Sequence, residues 1–179
     1  AACAGMLVRK GWDVRTFVES GAELEFGTGS VIRLGENCLV TVSNAMHDKE
    51  TGTSKTSVNV GTGRVWANVK KLADTRSGFD IETPTAVASI RGTTLGVAVG
   101  QGGTVVDVFT GTVVVRARGS EQEVPVNRST RATVRHGASQ VQVASFEESA
   151  RDTGTGLPPI TDPFATEVTG TEEQTDPGL

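Results

Sequence analysis

Polar and apolar side chains alternate through residues 79–99, which read FDIETPTAVASIRGTTLGVAV. From Phe79 to Thr83 every second side chain is apolar or β-branched, and a carboxylate occupies each position between them. A period of two is typical of a strand that buries one face. Pro84 has no amide hydrogen for a strand ladder, so the first strand is predicted to end there. A second strand is predicted after it, and a third over residues 94–99.

Five residues frame the second of these strands and form a motif: Thr83, Pro84, Arg91, Gly92 and Thr93. Gly92 is the residue that can turn the chain at little steric cost, because it has no Cβ. The motif contains no nucleophile, base or metal ligand, so it indicates a binding or structural module.

Arg91 lies between Ile90 and Gly92 in an apolar stretch, so we expect its guanidinium to be partly buried and therefore paired. Its partners are expected to be backbone carbonyls or one of three carboxylates: Asp80, Glu82 and Asp107. The favoured role for Arg91 is structural, joining two rungs of strands, and ligand binding is the alternative.

Short alternating runs continue along most of the chain. They predict strands over residues 7–14, 22–26, 31–34, 38–42, 57–60, 64–69, 79–83, 85–90, 94–99, 104–109, 112–117, 123–126, 131–134 and 140–143. Many short strands separated by turn residues are typical of an all-β architecture.

A weak repeat bears on how these strands stack. Residues 26–31 (FGTGSV) recur 34 positions later as residues 60–65 (VGTGRV), and residues 109–113 (FTGTV) are a weaker copy. Repeats at such a spacing can mark rungs that bury their apolar faces on one another. The sequence therefore favours a β-roll or short β-solenoid, with a β-sandwich as the alternative.

The C-terminal part of the chain differs from the rest. Residues 145–148 (SFEE) fit a capping box, which predicts one short helix over residues 146–151. The remainder is polar and rich in Gly, Pro and Thr, and we expect an extended tail that cannot fold alone. Four apolar side chains are candidates to anchor the tail on its own body or on a neighbouring copy: Leu157, Ile160, Phe164 and Val168.

Charge is unevenly distributed between these two parts. Residues 146–179 hold eight acidic groups and one Arg, a net charge of −7, whereas residues 1–145 hold 16 basic and 13 acidic groups, a net charge of +3. This balance argues against nucleic-acid binding, which needs a clustered basic face. Five arginines are candidates to contact the tail or a partner, unless both regions are only solvated surface: Arg116, Arg118, Arg128, Arg131 and Arg135.

Cys3 and Cys38 are the two cysteines of the chain. In an oxidising compartment a pair of cysteines is expected to form a disulfide. Two free thiols are the second possibility, and a lipid anchor on Cys3 is the third. Because the first residue is Ala1 and not Met, we expect that a leader has been removed or that the N-terminus has been trimmed.

Trp66 follows Val65 in a predicted strand. If Val65, Ala67 and Val69 face inward, Trp66 faces outward and is a candidate for an interface. A bulge of one residue would instead place Trp66 in the core, and the pattern does not decide between the two.

Catalytic chemistry has no support in the sequence. His47 lies in a polar loop and His136 in a turn, with no spacing that resembles a zinc site, a phosphate loop or a nucleophile elbow. We therefore expect a protein that is not an enzyme and that uses no cofactor and no metal. No run of residues approaches the roughly 18–20 apolar positions of a membrane span.

The motif at residues 83–93 (TPTAVASIRGT) resembles the centre of the FecR family, the extracytoplasmic β-domain of bacterial cell-surface signalling regulators and other envelope proteins. Residues 24–34, 61–69 (GTGRVWANV) and 105–115 (VVDVFTGTVVV) resemble other strands of that family, and the likeness extends over residues 6–143. The resemblance implies an all-β domain with stacked rungs, located in the periplasm, at the cell surface or outside the cell. The sigma-factor-binding segment and membrane helix of signalling regulators have no counterpart in this sequence, so only the domain is carried over.

These inferences predict three parts: an N-terminal segment over residues 1–5 after leader removal, a FecR-like β-domain over residues 6–145, and a helix with an acidic tail over residues 146–179. The function expected is a non-catalytic protein–protein interaction module that can assemble with itself through the tail. The alternative is a regulatory or sensor domain that docks another envelope protein as a monomer.

Overall fold

The computed structural model describes residues 3–48, 50–71 and 74–146. These residues form thirteen β-strands and no helix, which confirms the all-β prediction. The strands are β1 (Asp13–Arg15), β2 (Ala22–Glu25), β3 (Val31–Leu34), β4 (Leu39–His47), β5 (Ser54–Val69), β6 (Gly78–Glu82), β7 (Ala86–Ile90), β8 (Thr93–Gly100), β9 (Gly103–Thr110), β10 (Thr112–Ala117), β11 (Glu123–Asn127), β12 (Thr130–Arg135) and β13 (Gln142–Ser145). Most of these bounds lie within two residues of the predicted ones. Three differ more: β1 is much shorter than the strand predicted over residues 7–14, β4 continues five residues beyond the predicted 38–42, and the strands predicted over residues 57–60 and 64–69 are one strand, β5.

All thirteen strands belong to one continuous sheet that folds back on itself into a nearly closed, barrel-like shape. One half, sheet A, has the order β1-β4-β5-β6-β7-β10-β11. The other half, sheet B, has the order β2-β3-β5-β8-β9-β12-β13. The long strand β5 belongs to both halves, and it is the element that joins them.

The pairing pattern differs from the β-roll or solenoid favoured by the repeat. In a solenoid successive rungs would pair in parallel, whereas here only β5 and β6 do so among the twelve strand pairs of the described residues. The two Gly-Thr-Gly segments are also not equivalent. Residues 27–29 form the turn between β2 and β3, where the Phe26 amide donates to the Ser30 carbonyl, whereas residues 61–63 lie in the middle of β5.

The middle of β5 contains a bend at which the strand passes from sheet A to sheet B. Val58 and Val60 face the core before it, and Val65 and Ala67 face the core after it, so the inward positions change from even to odd. Gly63 has a φ of +94°. The left-handed region is open to glycine and costly for other residues, so the bend depends on this residue.

Cys38 fills the inside of this bend and is a free thiol, as is the exposed Cys3. Its thiol donates to the Arg64 carbonyl at 2.9 Å, and the Arg64 amide donates to its Sγ at 3.0 Å. The predicted disulfide is therefore wrong. Cys38 is buried against the main chain of β5, whereas Cys3 lies exposed in the N-terminal segment. Burial raises the pKa of the Cys38 thiol, and the hydrogen bonds from Arg64 and Thr16 oppose that shift only in part.

A single core fills the space between the two sheets, and valine is its most frequent side chain. Phe26 and Phe79 close one side of it with an edge-to-face contact, their ring centroids 5.3 Å apart. β-Branched side chains pack well on a pleated surface, so this core suits a protein with few aromatic residues. Within the described ranges there is no helix long and apolar enough to cross a membrane.

The predicted C-terminal helix begins at Phe146, which is the last described residue. The helix beyond that position and the four anchor candidates of the tail (Leu157, Ile160, Phe164 and Val168) lie outside the described residues.

We expect Gly63→Ala to lower the free energy of unfolding by about 2–4 kcal/mol, because the new Cβ adopts a strained φ and displaces packed atoms. That Cβ would overlap Cys38 Sγ and lie 2.7 Å from Cys38 Cα. Gly61→Ala is the matched control, since its Cβ would lie 3.5 Å from Leu39 Cδ2, an ordinary contact. Urea unfolding measures both variants, and equal losses would show that the bend does not depend on Gly63.

We expect a thiol reagent at neutral pH to label Cys3 rapidly in the native protein and Cys38 only after unfolding, because Cys38 is buried and its raised pKa lowers the thiolate fraction. Mass spectrometry of the labelled chain, with and without denaturant, counts the modified sites. A native protein that is unreactive until a reductant is added would instead indicate a disulfide.

Candidate functional site

Thr83 and Pro84 of the motif, together with Thr85, form the tight turn between β6 and β7. The Thr83 amide donates to the Ala86 carbonyl at 2.8 Å, and the Ala86 amide donates to Thr83 Oγ1 at 2.9 Å. Pro84 occupies the position of the turn that needs no amide hydrogen. The strand therefore ends at the proline, as its missing donor predicts.

Three buried threonine hydroxyls connect this turn to sheet B. The Oγ1 atoms of Thr83 and Thr85 each lie 2.7 Å from Oγ1 of Thr104 in β9. Thr85 Oγ1 also donates to the Val134 carbonyl of β12 at 3.2 Å. Buried hydroxyls are costly unless they are hydrogen-bonded, so this set joins the two sheets at one end of the protein.

The remaining motif residues lie at the turn between β7 and β8. Gly92 has a φ of +65° there, and Thr93 is buried with its hydroxyl donating to the Thr112 carbonyl at 3.1 Å. Arg91 was expected to be partly buried, but its side chain lies exposed on the surface. Its guanidinium donates to a backbone carbonyl, that of Asp74, at 3.3 Å. Each of the three carboxylates proposed for it binds another residue: Asp80 binds Ser89, Glu82 binds Arg118 and Asp107 binds Arg131.

The five arginines of the predicted basic cluster lie on different parts of the surface. Arg116 lies on the outer face of sheet A, Arg131 lies on the outer face of sheet B, and Arg128 lies in the turn between β11 and β12. Only Arg118 and Arg135 line the same pocket, which has a volume of about 200 Å³ and also includes His136. Arg118 is already used inside the protein, since it donates to the Thr83 carbonyl at 2.6 Å and to Glu82 Oε2 at 3.0 Å.

Trp66 faces outward from sheet B. The core side of β5 after the bend consists of Val65, Ala67 and Val69. The bend comes before Trp66, so it does not turn this side chain inward. Its side chain is half-buried, because it packs against a small apolar cluster on the outer face that contains Ala98, Val105 and Phe109.

Beside this cluster lies a buried ion pair. Arg131 donates to both carboxylate oxygens of Asp107, at 2.6 and 2.7 Å, and the Asp107 side chain is fully buried. A second pair on the same face, Arg33 with Glu23 at 2.6 Å, is exposed at both ends. The outer face of sheet B thus carries charge at its margins and apolar side chains between them.

A wide groove lies between β1 and β2, and we name it the edge groove. It has a volume of about 700 Å³, and β1 and β2 form two of its walls while the N-terminal segment, including Met6 and Val8, forms the third. Among the described strands β1 pairs only with β4, and β2 pairs only with β3. Each of the two strands therefore has one side without a ladder partner among the described strands, and both strands belong to the walls of the same groove.

Large apolar side chains are exposed in and beside this groove. Met6 and Trp12 line it, and Leu7, Phe17 and Val18 lie in the neighbouring segments of the chain with more than half of their surface exposed. A contiguous group of exposed apolar side chains often indicates a surface that binds another protein, a membrane or a ligand. Leu7 and Trp12 fall within the strand predicted over residues 7–14, whereas Met6, Phe17 and Val18 lie outside it and carry no prediction. A sequence signal for this surface is the density of large apolar side chains around Arg9, Lys10 and Gly11.

We expect Arg131→Met to lower the free energy of unfolding by about 3–5 kcal/mol, because it leaves the buried Asp107 carboxylate without its partner. Arg33→Met on the same face is the matched control and should cost less than about 1 kcal/mol, as is usual for an exposed pair. Chemical unfolding of both variants at neutral pH tests this. A loss at Arg131 no larger than that at Arg33 would contradict the structural role of the pair.

Comparison with known proteins agrees with this architecture. Two crystal structures of a "putative anti-sigma factor from Parabacteroides distasonis ATCC 8503", at 1.65 and 2.50 Å, share the fold with TM-scores of 0.62 and 0.60. Each is 16% identical in sequence, and the match covers 76% of this chain and 60% of the other. This chain thus spans about 60% of the length of these structures. No curated protein matches the sequence.

The family comparison is more specific, because it rests on sequence. The profile described as "FecR protein" matches residues 13–114, which include the whole of the motif at residues 83–93. The matched region runs from β1 into β10 and contains the bend of β5. Since it covers more than half of the 179 residues, the chain belongs to the FecR protein family.

Proposed function

We propose that this chain is a non-catalytic protein–protein interaction domain with a regulatory or sensing role in the bacterial cell envelope, and that the edge groove holds an extended segment of its protein partner. The observation that carries the proposal is that, among the described strands, two strand sides at one groove have no ladder partner, with several exposed apolar side chains in and beside that groove. Membership of the FecR family and the likeness to structures described as an anti-sigma factor are consistent with regulation through a partner.

The physical basis of such binding is strand addition. A strand without a neighbour presents amide and carbonyl groups that a partner backbone can satisfy, and pockets for alternate side chains supply specificity. In the edge groove, β1 and β2 supply the backbone groups, and Met6, Trp12 and the half-buried Val14 and Leu24 supply apolar contacts. A segment of about five residues, roughly 17 Å long, is enough to follow either strand.

Catalysis has no part in this proposal. Within the described residues no group of three or more His, Cys, Asp or Glu side chains is placed to hold a metal ion. Hydrogen bonds between polar side chains instead stabilise a turn and join the two sheets, as those of Thr83 and Thr85 with Thr104 do. A location outside the cytoplasm follows from the family resemblance and remains a prediction.

Self-assembly through the tail is not proposed as a second function. It would depend on residues 147–179, which lie outside the described residues, and no contact in the described ranges favours it. Light scattering of the full chain tests it directly, since an assembling protein would show a mass that grows with concentration.

We expect Met6→Glu combined with Trp12→Glu to weaken the binding of extended peptides at least about tenfold, a change of about 1.4 kcal/mol, because a carboxylate in the groove must be desolvated on binding. The probes are short displayed peptides selected on the full-length chain, with affinities then measured by calorimetry. Met46→Glu combined with Val143→Glu is the matched control, because these two residues are about as exposed but lie outside the groove. Selected peptides that bind both double variants equally would overturn the assignment of the groove.

A further inference from the structure

On the outer face of sheet B, side chains that would be expected to contact solvent are buried. In β8 and β9 both faces are buried, although only one of them points into the core between the sheets. Ala98 and Asp107 are fully buried on the outer side, and Val105 and Phe109 are nearly so. A sheet with one face on the core normally presents polar side chains on its other face. These apolar positions therefore indicate a face that is covered.

The shape of this face is a shallow trough. Strand register places Trp66 of β5 opposite Gly96 of β8, and Gly96 opposite Asp107 of β9. The bottom of the trough is formed by the small residues Gly96 and Ala98 of β8. The larger side chain of Trp66 in β5 forms one wall, and those of Val105 and Phe109 in β9 form the other. We name this feature the outer trough.

The indole N–H of Trp66 is buried and has no hydrogen-bond acceptor among the described residues. A buried donor without an acceptor costs on the order of 1–3 kcal/mol, so such groups are nearly always paired in folded proteins. A carbonyl or carboxylate supplied by whatever covers the trough would satisfy it.

The described part of the chain ends at this surface. The Phe146 ring packs edge-to-face on Phe109 with a centroid distance of 6.1 Å, and the guanidinium of Arg131 lies 5.7 Å from its centroid. The Phe146 amide donates to the Ser129 carbonyl at 3.0 Å, which fixes the backbone there. Residues 147–179 therefore start beside the outer trough.

The composition of residues 147–179 matches this surface. They carry eight acidic groups against one Arg, whereas the rest of the chain has a net charge of +3 and the trough is bordered by Arg33, Arg64 and Arg131. The distance to be covered is small, because the backbones of Phe146 and Trp66 are separated by four strand spacings, about 19 Å. Leu157, the first of the four apolar residues, lies eleven positions after Phe146, a reach of up to about 36 Å.

We propose that residues 147–179 dock intramolecularly on the outer trough, where apolar side chains of the segment cover Gly96, Ala98 and Val105 and one of its oxygen atoms accepts the Trp66 indole hydrogen bond. The acidic side chains of the segment then lie against the arginines at the margins of the trough. This inference is independent of the proposed use of the edge groove, because it concerns another face and another occupant.

The first test uses the full-length chain with Trp12→Phe, so that Trp66 is its only tryptophan. Replacing all four apolar residues of the segment (Leu157, Ile160, Phe164 and Val168) by Ser should shift the emission of Trp66 to longer wavelength and raise its quenching by acrylamide about twofold or more, because the trough is then open to water. The matched control replaces four threonines of the same segment by Ser (Thr153, Thr155, Thr161 and Thr169) and should leave the emission unchanged. Unchanged emission in the first variant would overturn the proposal.

A second measurement leaves the apolar residues intact. In the chain with Trp12→Phe, Cys3→Ser and Thr161→Cys, a nitroxide label is attached at the new thiol, while Cys38 is protected by burial. Docking predicts strong quenching of Trp66 by the nitroxide, at every protein concentration and with the molar mass of one chain. Absence of quenching would overturn the proposal, and so would quenching that rises with concentration together with a larger mass, which would assign the segment to a neighbouring copy.

Discussion

The bend in the middle of β5 is the constraint on which the rest of the structure depends. One strand serves two sheets only if its inward side changes between them, and that change requires a residue with a positive φ in close contact with Cys38. Gly63 meets both conditions, and Cys38 packs into the bend, where its Sγ accepts a hydrogen bond from the Arg64 amide and its thiol shares the Arg64 carbonyl with the Gly35 amide. The core closes because both halves of β5 turn their apolar side chains toward it.

A second interaction joins the two sheets near this bend, because the strand register connects Gly63 to Thr104 through Val99. There the turn between β6 and β7 contributes two hydroxyls, and β9 contributes a third from the facing sheet. The most distinctive part of the sequence, residues 83–93, thus does structural work. The two surfaces that we propose for binding lie elsewhere, in segments with far less distinctive sequence, because a surface that binds a partner must leave backbone groups or apolar side chains without partners inside the protein.

Two surfaces of this kind exist on the described residues, and they differ in what they offer. The edge groove offers backbone hydrogen-bonding groups along β1 and β2, with apolar side chains around them. The outer trough lies on central strands whose ladders are complete, so it offers apolar contacts, an indole donor and charged margins. The first suits an extended strand that adds to a sheet, and the second suits a segment that packs across one.

The sequence by itself determined most of the strands and the family. The period of two in residues 79–99 and the turn chemistry of Pro84 and Gly92 are local properties, and local sterics decide them without knowledge of the fold. Strand pairing, the free state of Cys38 and the separation of the five arginines were decided by tertiary structure, since each depends on which distant strands become neighbours. One Gly-Thr-Gly segment forms a turn and the other forms a bend within a strand. The physical reason is that only the second lies in a strand that pairs with neighbours in both sheets and must change its inward side between them.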